Sequence, residues 1–414
     1  MNIVSLLAEK RIVLAVTGSI AVYKAVDLAS KLTQAGATVD VIMTEAAQRF
    51  VTPLTFQSVT GRSVYTHLWE TESAGELPTH IAHVGLGEGA DLLAVVPATA
   101  HTIARLAAGM ADDLLTITAL ATQAPMLLAP AMDGTMYQHP VTFNNVRTLR
   151  EREAYIVEPE VGRFASGLVG KGRLPDTQTL IGHIRLLLGR DGILSGRRVV
   201  VTAGGTREPL DPVRYITNRS SGKQGHAIAQ AALDAGATVT LISSADGLPT
   251  PIGAELVSVG SAVELRDAVV AATADADVLI MAAAVADFRP DTVADQKIKK
   301  SDDSEQGLTI ALARNPDILM DVKSQRENSG YPRVVVGFAA ESENLLKNAQ
   351  SKLTRKGLDM LVANDISASD AGFAVDTNRV TILSDESPVE PLELQTKAQV
   401  ADVIIDRVAA LLDA

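Results

Sequence analysis

The chain has 414 residues, no cysteine, 37 basic against 49 acidic side chains, and a 47% hydrophobic content that includes few aromatics. This length accommodates two domains, the lack of cysteine excludes disulfides and thiolate chemistry, and the net charge of −12 argues against nucleic-acid binding. No apolar run reaches the length of a membrane span, and Glu9, Lys10 and Arg11 interrupt the first apolar stretch, so neither a membrane protein nor a signal peptide is expected and the cytoplasm is the default.

In chain order, the first apolar run, Arg11 to Gly18 (RIVLAVTG), predicts a strand. It ends in Thr17-Gly18-Ser19-Ile20-Ala21 and is followed by a helix carrying Tyr23 and Lys24. Backbone amides and hydroxyls at such a turn suit a phosphate at a helix N-terminus. A second strand, Ala35 to Thr44, ends in the polar turn Thr44-Glu45-Ala46-Ala47. A third, Ala90 to Ala100, ends in Pro97-Ala98-Thr99-Ala100. Three polar strand ends predict a mononucleotide in a switch-point crevice. His83 stands eight residues before Asp91, just ahead of a glycine-rich stretch, as a structural histidine or an acid/base.

The pattern then repeats. Arg198 to Gly204 (RVVVTAG) matches the first strand, Ala235 to Ser243 the second, and Ala276 to Ala286 (ADVLIMAAAVA) the third. Strand, turn, helix and strand in this rhythm predict βαβ units in a parallel sheet. Each half is therefore expected to be a Rossmann-like, doubly wound α/β domain, the first flavodoxin-like, with its ligand at the carboxyl ends of the strands. The glycine-rich break Gly189 to Gly196, after a Leu-rich helix at Ile181–Leu188, sets the expected domains at 1–190 and 191–414. Neither half carries GxGxxG, which argues against a nicotinamide dehydrogenase.

The second half holds the densest motif, Thr202 to Gly225 (TAGGTREPLDPVRYITNRSSGKQG). Gly204-Gly205 reads as a phosphate-compatible turn, and Ser220-Ser221-Gly222 and Gly225 open a helix at His226–Ala232. Arg207, Arg214, Asn218 and Arg219 lie between. Small residues at Ala282 to Ala286 let a base or ribose approach backbone, and Asp287 can accept from a ribose hydroxyl or hold a metal. The charged stretch Asp291–Gln306, with Lys297, Lys299 and Lys300, reads as a mobile flap, and Asn315-Pro316-Asp317-Ile318 as a turn. Lys352 and Lys356, at i and i+4, share a helix face and would repel unless an anion bridges them. With Lys297 they form a candidate triphosphate clamp. Residues 384–394 read as a sheet edge or loop and Thr396–Leu412 as a closing helix.

From about Ser195 to Ala414 the sequence resembles the phosphopantothenate–cysteine ligase domains of coenzyme A biosynthesis. The TREPLDPVRYITNRSSGKQG, AAAVADFRP, KIKK, NPDI and GFAAE blocks and the Lys352/Lys356 pair carry that resemblance. It implies a CTP-dependent reaction, with Mg²⁺, in which the carboxylate of 4′-phosphopantothenate attacks the α-phosphate of CTP. An acyl-cytidylate forms and pyrophosphate leaves; the amine of cysteine then displaces CMP. By the same resemblance Asp287, Lys297, Asn315, Pro316, Asp317, Ile318, Phe338, Lys352 and Lys356 hold CTP. Met281, Ala282 and Ala283 line the nucleotide, Arg214 and Asn218 stabilise the acyl-cytidylate, and Lys297 offsets developing phosphate charge.

The first half resembles the flavin-containing phosphopantothenoylcysteine decarboxylases in TGSIA, MTEAA, HVGLGEGADLL, PATAHTIARLAAGMADDLL and PAMDGTM. The resemblance implies FMN around Gly18, Ser19, Thr44, Ala98 and Thr99. It also implies oxidation of the substrate's terminal cysteine to a thioaldehyde, loss of CO₂, return of the electrons to give 4′-phosphopantetheine, and His83 as acid/base, its spacing to Asp91 favouring it over His80. Two positions depart from the family pattern. Asp133 stands where the family usually has Asn, and Ser166 stands where it often has a proton-donating Cys. An ionised Asp133 would repel a substrate carboxylate, so either Asp133 is protonated or it contacts substrate differently. Serine is a far weaker acid than a thiol. The expected function is two consecutive steps, ligation then decarboxylation; the rival is an active ligase with a flavin-binding but impaired first half. The resemblance further implies a homo-oligomer, with a trimeric flavin half and a dimeric ligase half closing into a dodecamer.

Overall fold

The computed structural model describes residues 4–69, 77, 81–164, 166–299, 308–341, 345–365, 375–384 and 389–413. The chain divides into two compact units, residues 1–188 and 189–414.

The strands of the first unit are β1 (Arg11–Val16), β2 (Thr38–Met43), β3 (Val64–Tyr65), β4 (Leu92–Ala98), β5 (Met126–Pro130) and β6 (Tyr155–Ile156), followed by a hairpin of β7 (Glu160–Arg163) and β8 (Val169–Arg173). Its helices are α1 (Val22–Gln34), α2 (Glu45–Gln48), α3 (Pro53–Thr60), α4 (Ala82–Glu88), α5 (Ala100–Ala108), α6 (Leu114–Ala121), α7 (Gly134–Gln138), α8 (Pro140–Glu151) and α9 (Thr177–Gly189). The sheet runs β3-β2-β1-β4-β5-β6, all parallel. Alternation along β1 explains the two covering layers. Ile12, Leu14 and Val16 pack in one core with Leu28 and Leu32 of α1 and Leu180 of α9. Val13 and Ala15 pack in the other with Leu86 of α4, Leu106 of α5 and Leu115 of α6. Reversal of strand order between β1 and β4 opens a crevice at their carboxyl ends.

The second unit contains β9 (Arg198–Ala203), β10 (Arg207–Pro209), β11 (Tyr215–Thr217), β12 (Thr238–Ser243), β13 (Glu255–Ser258), β14 (Val278–Met281), β15 (Phe288–Pro290), β16 (Leu312–Arg314), β17 (Val334–Glu341), β18 (Met360–Asp365), β19 (Thr377–Asn378), β20 (Val380–Ser384), β21 (Glu390–Pro391) and β22 (Gln395–Thr396). Its helices are α10 (Lys223–Asp234), α11 (Ala262–Ala272), α12 (Ile318–Ser329), α13 (Leu345–Lys356) and α14 (Lys397–Asp413). The main sheet runs β13-β12-β9-β14-β17-β18-β20-β21. It is parallel as far as β18, after which β20 and β21 add antiparallel. Val200, Leu279 and Leu361 face a layer of α11, α12 and α13 through Leu265, Val322 and Leu353. Helices α10 and α14 pack together on the opposite face.

Both halves are thus doubly wound, as the βαβ rhythm predicts. The expected edge at 384–394 is β21, with residues 385–388 outside the described ones. The helix expected at His226 begins earlier, at Lys223, because Gly222 at φ 75° turns the chain into it.

Candidate functional site

In the first unit, three strand ends meet at the crevice. Thr17, buried at the end of β1, donates to the Pro97 carbonyl (2.6 Å) and accepts the N–H of Thr99 (3.1 Å). One hydroxyl therefore ties the β1 turn to the β4 turn. A Cβ on Gly18 would stand 2.5 Å from Ala46 Cβ, so the Gly18-Ser19 turn lies directly under the β2 exit, and only glycine allows it. Thr44 caps α2 by accepting from Ala47 N–H (3.3 Å), and Thr99 caps α5 by accepting from Thr102 N–H (3.3 Å). Gly18, Ser19, Thr44, Ala98 and Thr99 thus belong to three neighbouring strand ends. Their donors are hydroxyls and N–H groups, a neutral set suited to a phosphate-bearing cofactor. Lys24 turns elsewhere: its ammonium donates to the carbonyls of Leu174 (2.5 Å) and Pro175 (3.1 Å), and burial lowers its pKa.

His83 is half-buried in the first turn of α4. Because α4 leads down into the start of β4, its first turn lies toward the carboxyl edge of the sheet. His80 lies outside the described residues. Asp133 follows β5 at the same edge and caps α7. Its Oδ1 accepts the N–H (3.1 Å) and hydroxyl (3.0 Å) of Thr135, and its Oδ2 accepts the Ser166 hydroxyl (3.0 Å) from the β7–β8 turn. The Thr135 N–H first, then the Ser166 and Thr135 hydroxyls, hold its carboxyl below the ordinary aspartate value. Three donors stabilise the anion, which favours the second of the two expectations above, that Asp133 contacts substrate differently. The two departures from the family pattern form one hydrogen-bonded pair.

In the second unit, a cavity of about 950 Å³ opens at the carboxyl ends of β14, β17 and β18. Its floor is the exit of β14. Ala283 N–H donates to Thr202 Oγ1 (3.0 Å), Ala284 N–H to the Gly204 carbonyl (2.8 Å) and Ala286 N–H to Thr206 Oγ1 (3.0 Å). These bonds hold a small-residue strand extension against the Gly204–Thr206 turn. Gly204-Gly205 serves that stitching, while Ser220, Ser221, Gly222 and Gly225 reach the cavity wall. A Cβ on Gly225 would meet Ala203 Cβ at 2.6 Å, so glycine lets α10 start flush against β9.

Met281, Ala282, Ala283, Asp287, Asn315, Pro316, Asp317, Ile318, Phe338, Lys352 and Lys356 all line this one cavity, with Asn218. The Asn315 side chain donates to the Ala286 carbonyl (2.8 Å) and Asn218 to the Val285 carbonyl (2.9 Å), fixing both amides to the β14 exit. The lysine pair is differentiated. Lys352 donates to the Phe338 carbonyl (2.8 Å), whereas Lys356 forms a two-oxygen ion pair with Asp317 (2.6 and 2.7 Å). The anion that relieves their repulsion is a carboxylate of the chain, which amends the clamp expected from spacing alone. A triphosphate near Lys356 would meet a cation already shared.

Arg214 and Lys297 are not brought into the cavity. Arg214 spends its guanidinium on Asp211 and on the Ile298 carbonyl (2.8 Å), and Lys297 is exposed. The flap stretch 291–299 is anchored where it is described, through Ala294 N–H to the Leu210 carbonyl (3.0 Å) and Ile298 N–H to Asp211 (3.1 Å); residues 300–306 lie outside the described ones.

Sequence reasoning missed Gln224, Asn364, Asn378 and Lys397, which line the same cavity. Asn364 is buried and its Oδ1 finds no partner among the described residues. The apolar run Met360–Ala363 ending in Asn364-Asp365 is the same kind of strand exit that drew attention to Ala286-Asp287. For Lys397, buried at the start of an amphipathic helix with its ammonium on the Val375 carbonyl (2.6 Å), the sequence offers no comparable signal.

Two family models match. One, described as flavoprotein, covers residues 4–189; the other, described as DNA/pantothenate metabolism flavoprotein C-terminal domain, covers residues 194–412. A relative named coenzyme A biosynthesis bifunctional protein CoaBC, from Bacillus subtilis (strain 168), is 44% identical over 409 residues, 98% of each chain. One of the same name from Mycolicibacterium smegmatis is 46% identical over 416 residues, again 98% of each. Among solved structures, the C-terminal domain of a CoaBC protein is 36% identical, with a TM-score of 0.45 over 54% of this chain and 98% of that one.

Proposed function

The chain belongs to the CoaBC family of bifunctional proteins of coenzyme A biosynthesis, and from that membership we infer which residues do the work of each half. It is a bifunctional enzyme: a phosphopantothenate–cysteine ligase and a phosphopantothenoylcysteine decarboxylase acting on small molecules. We assign ligation to residues 191–414 and decarboxylation to 1–190.

The observation that carries the ligase assignment is the cavity shared by Asn218, the β14 exit, Asn315–Ile318, Phe338 and the two lysines. In this reading the tight backbone of Ala282–Ala284 takes the flat part of CTP, and Asp287 takes its ribose. Lys352 and Lys356 set the charge of the opposite wall. Asn218 orients the reacting carboxylate and the acyl-cytidylate. Catalysis is positioning and charge stabilisation, which needs no covalent enzyme intermediate. In this reading Mg²⁺ accompanies the triphosphate of CTP.

The neutral strand-end set of Gly18, Ser19, Thr44, Ala98 and Thr99 fits FMN, the phosphate lying by hydroxyls and N–H groups. When bound, FMN supplies the two-electron chemistry that makes the carboxylate a leaving group. The chain's own part is proton handling and orientation. His83 moves a proton at the substrate thiol end, and the Asp133–Ser166 pair positions the β7–β8 hairpin over it. An ionised Asp133 is engaged by Thr135 through Oδ1 and by Ser166 through Oδ2, so in this reading it contacts substrate differently from the usual Asn. Assembly into a homo-oligomer, up to a dodecamer, and a cytoplasmic location are part of the same proposal.

The test supplies purified chain with 4′-phosphopantothenoylcysteine alone and follows the flavin spectrum, CO₂ and 4′-phosphopantetheine. Stoichiometric CO₂ and product are expected. Bound flavin without product would overturn the decarboxylase roles given to His83 and the Asp133–Ser166 pair. A parallel assay with CTP, 4′-phosphopantothenate and cysteine must release pyrophosphate and CMP.

A further inference from the structure

Asp211 lies outside the cavity and has no role so far. It is 3% exposed, in the turn between β10 and β11. Its Oδ1 accepts the N–H groups of Val213 (2.8 Å) and Arg214 (2.9 Å), an ordinary turn-stabilising pattern. Its Oδ2 does something a turn does not require. It accepts Nε of Arg214 (2.9 Å), a second guanidinium nitrogen of the same residue, and the N–H of Ile298 (3.1 Å) from a segment far along the chain. The Arg214 guanidinium in turn donates to the Ile298 carbonyl (2.8 Å). Ala294 N–H to the Leu210 carbonyl (3.0 Å) closes the same seam one turn earlier. One buried carboxylate therefore joins the loop that carries Arg214 to the segment that carries Lys297. Arg214, followed by burial and the backbone donors in opposite senses, holds this carboxyl far below the ordinary range, so the joint is permanently charged at any working pH.

We propose that Asp211 is a positioning residue for ligation: it locks the β10–β11 turn, whose second strand leads into Asn218 of the cavity wall, to the segment that carries Lys297, so that Asn218 meets the reactants from one fixed place. The inference rests on the ligase reading above. A carboxylate with five donors leaves Arg214 one orientation, and the Ile298 bonds leave the neighbouring Lys297 backbone one register. Charge stabilisation of a phosphoryl reaction depends on such prior fixing, because a donor displaced by about 1 Å forfeits on the order of 100-fold in rate.

The test is Asp211→Asn in the full chain. The amide keeps the volume but puts an NH₂ group or a weaker acceptor where Arg214 and Ile298 donate. The expected result is a fall in ligation kcat on the order of 10- to 100-fold, with KM for CTP within about 2-fold because the nucleotide wall is untouched. Decarboxylation of supplied 4′-phosphopantothenoylcysteine stays unchanged. Amide exchange rises in residues 291–299 and not in β9 or β14. In a cycle with Arg214→Gln, the double variant is no slower than the slower single one. Wild-type kcat in Asp211→Asn overturns the proposal. So does a rise in exchange across the whole second half with kcat and CTP KM moving together, which marks a mere structural staple. If Asp211→Asn does not fold, Asp211→Glu keeps the charge but displaces it by one methylene from its donors, and carries the same kcat expectation. A wild-type chain that forms no pyrophosphate from CTP and 4′-phosphopantothenate sinks the ligase reading instead.

Discussion

In the first half, Arg11 N–H donates to Asp91 Oδ2 (2.8 Å) and Asp91 N–H returns a bond to the Arg11 carbonyl (2.8 Å). In the second half the same reciprocal pair joins Arg198 and Asp277, at 2.9 Å in both directions. Even the second strand of each half is seated alike, by Thr38 N–H on the Lys10 carbonyl and Thr238 N–H on the Arg197 carbonyl. The opposite edges share a threonine tie, Thr99 N–H on Thr17 Oγ1 and Ala283 N–H on Thr202 Oγ1, but differ in charge. In the first half the crevice at the ends of β1, β2 and β4 offers Thr17, Ser19, Thr44 and Thr99, all neutral, with Asp133 standing farther along the edge after β5. In the second the carboxyl edge offers Asp287, Asp317, Lys352, Lys356 and Lys397 around one cavity. An α/β sheet can thus keep its frame at the amino edge while the chemistry at the carboxyl edge is exchanged, because the strand-end side chains there carry little of the core.

The largest effect expected from breaking this contrast is at His83. His83→Asn should lower decarboxylation by about 10²- to 10⁴-fold, the range of a lost acid/base, and leave pyrophosphate release from CTP untouched. CO₂ and pyrophosphate assays on one preparation measure both. Equal losses in the two assays would mean that the halves are not separable in this way. The charged edge comes next. Lys356→Met leaves Asp317 without its partner and removes the wall's shared cation, so KM for CTP should rise about 10-fold, equivalent to about 1.4 kcal/mol of binding, with decarboxylation of the supplied intermediate unchanged. An unaltered CTP KM would place the nucleotide elsewhere.

How much of this was legible follows the same division. The strand exits could be read because each is an apolar run ending in small or polar residues, and the i, i+4 lysines because helix periodicity sets which residues share a face. Partners across the sheet could not be read. Lys356 meets Asp317 from another helix, Ser166 meets Asp133 across a hairpin, and Asp211 meets Ile298 across half a domain. No local pattern encodes those distances. The antiparallel addition of β20 and β21 was visible only as an edge, since short strands beside polar loops carry little periodicity. The early start of α10 was hidden by a positive φ at Gly222 that composition does not reveal.

A smaller effect is expected at the Asp133–Ser166 pair. The folded carboxyl is held below its ordinary value, so the contact is present above the ordinary aspartate pKa and is lost as pH falls through the lower folded value. Protection of the β7 and β8 amides, corrected for the intrinsic pH dependence of exchange, should therefore fall below about pH 4. In Asp133→Asn that protection should be slightly lower at neutral pH and independent of pH. A wild-type hairpin with no pH response there would show that the pair does not hold it.

The smallest effects test the shared amino edge. Asp91 is partly buried, which opposes its ionisation, but the Lys10 ammonium and Arg11 N–H outweigh burial and its pKa is lowered. Its stabilising contribution is therefore complete above the ordinary aspartate value and disappears as pH falls through the folded one. Asp91→Asn keeps the shape but weakens the acceptor, and should cost about 1–3 kcal/mol at pH 7 and much less at pH 3. Urea unfolding with exchange read separately in Leu92–Val95 and Val278–Met281 assigns the loss to the first half alone. Asp277→Asn should produce a loss of similar size in the second half, because the reciprocal bonds have the same geometry. An Asp91→Asn loss that is as large at pH 3 as at pH 7 would mean that shape, not the carboxylate, seats the strand, and the likeness of the two amino edges would then be one of backbone alone.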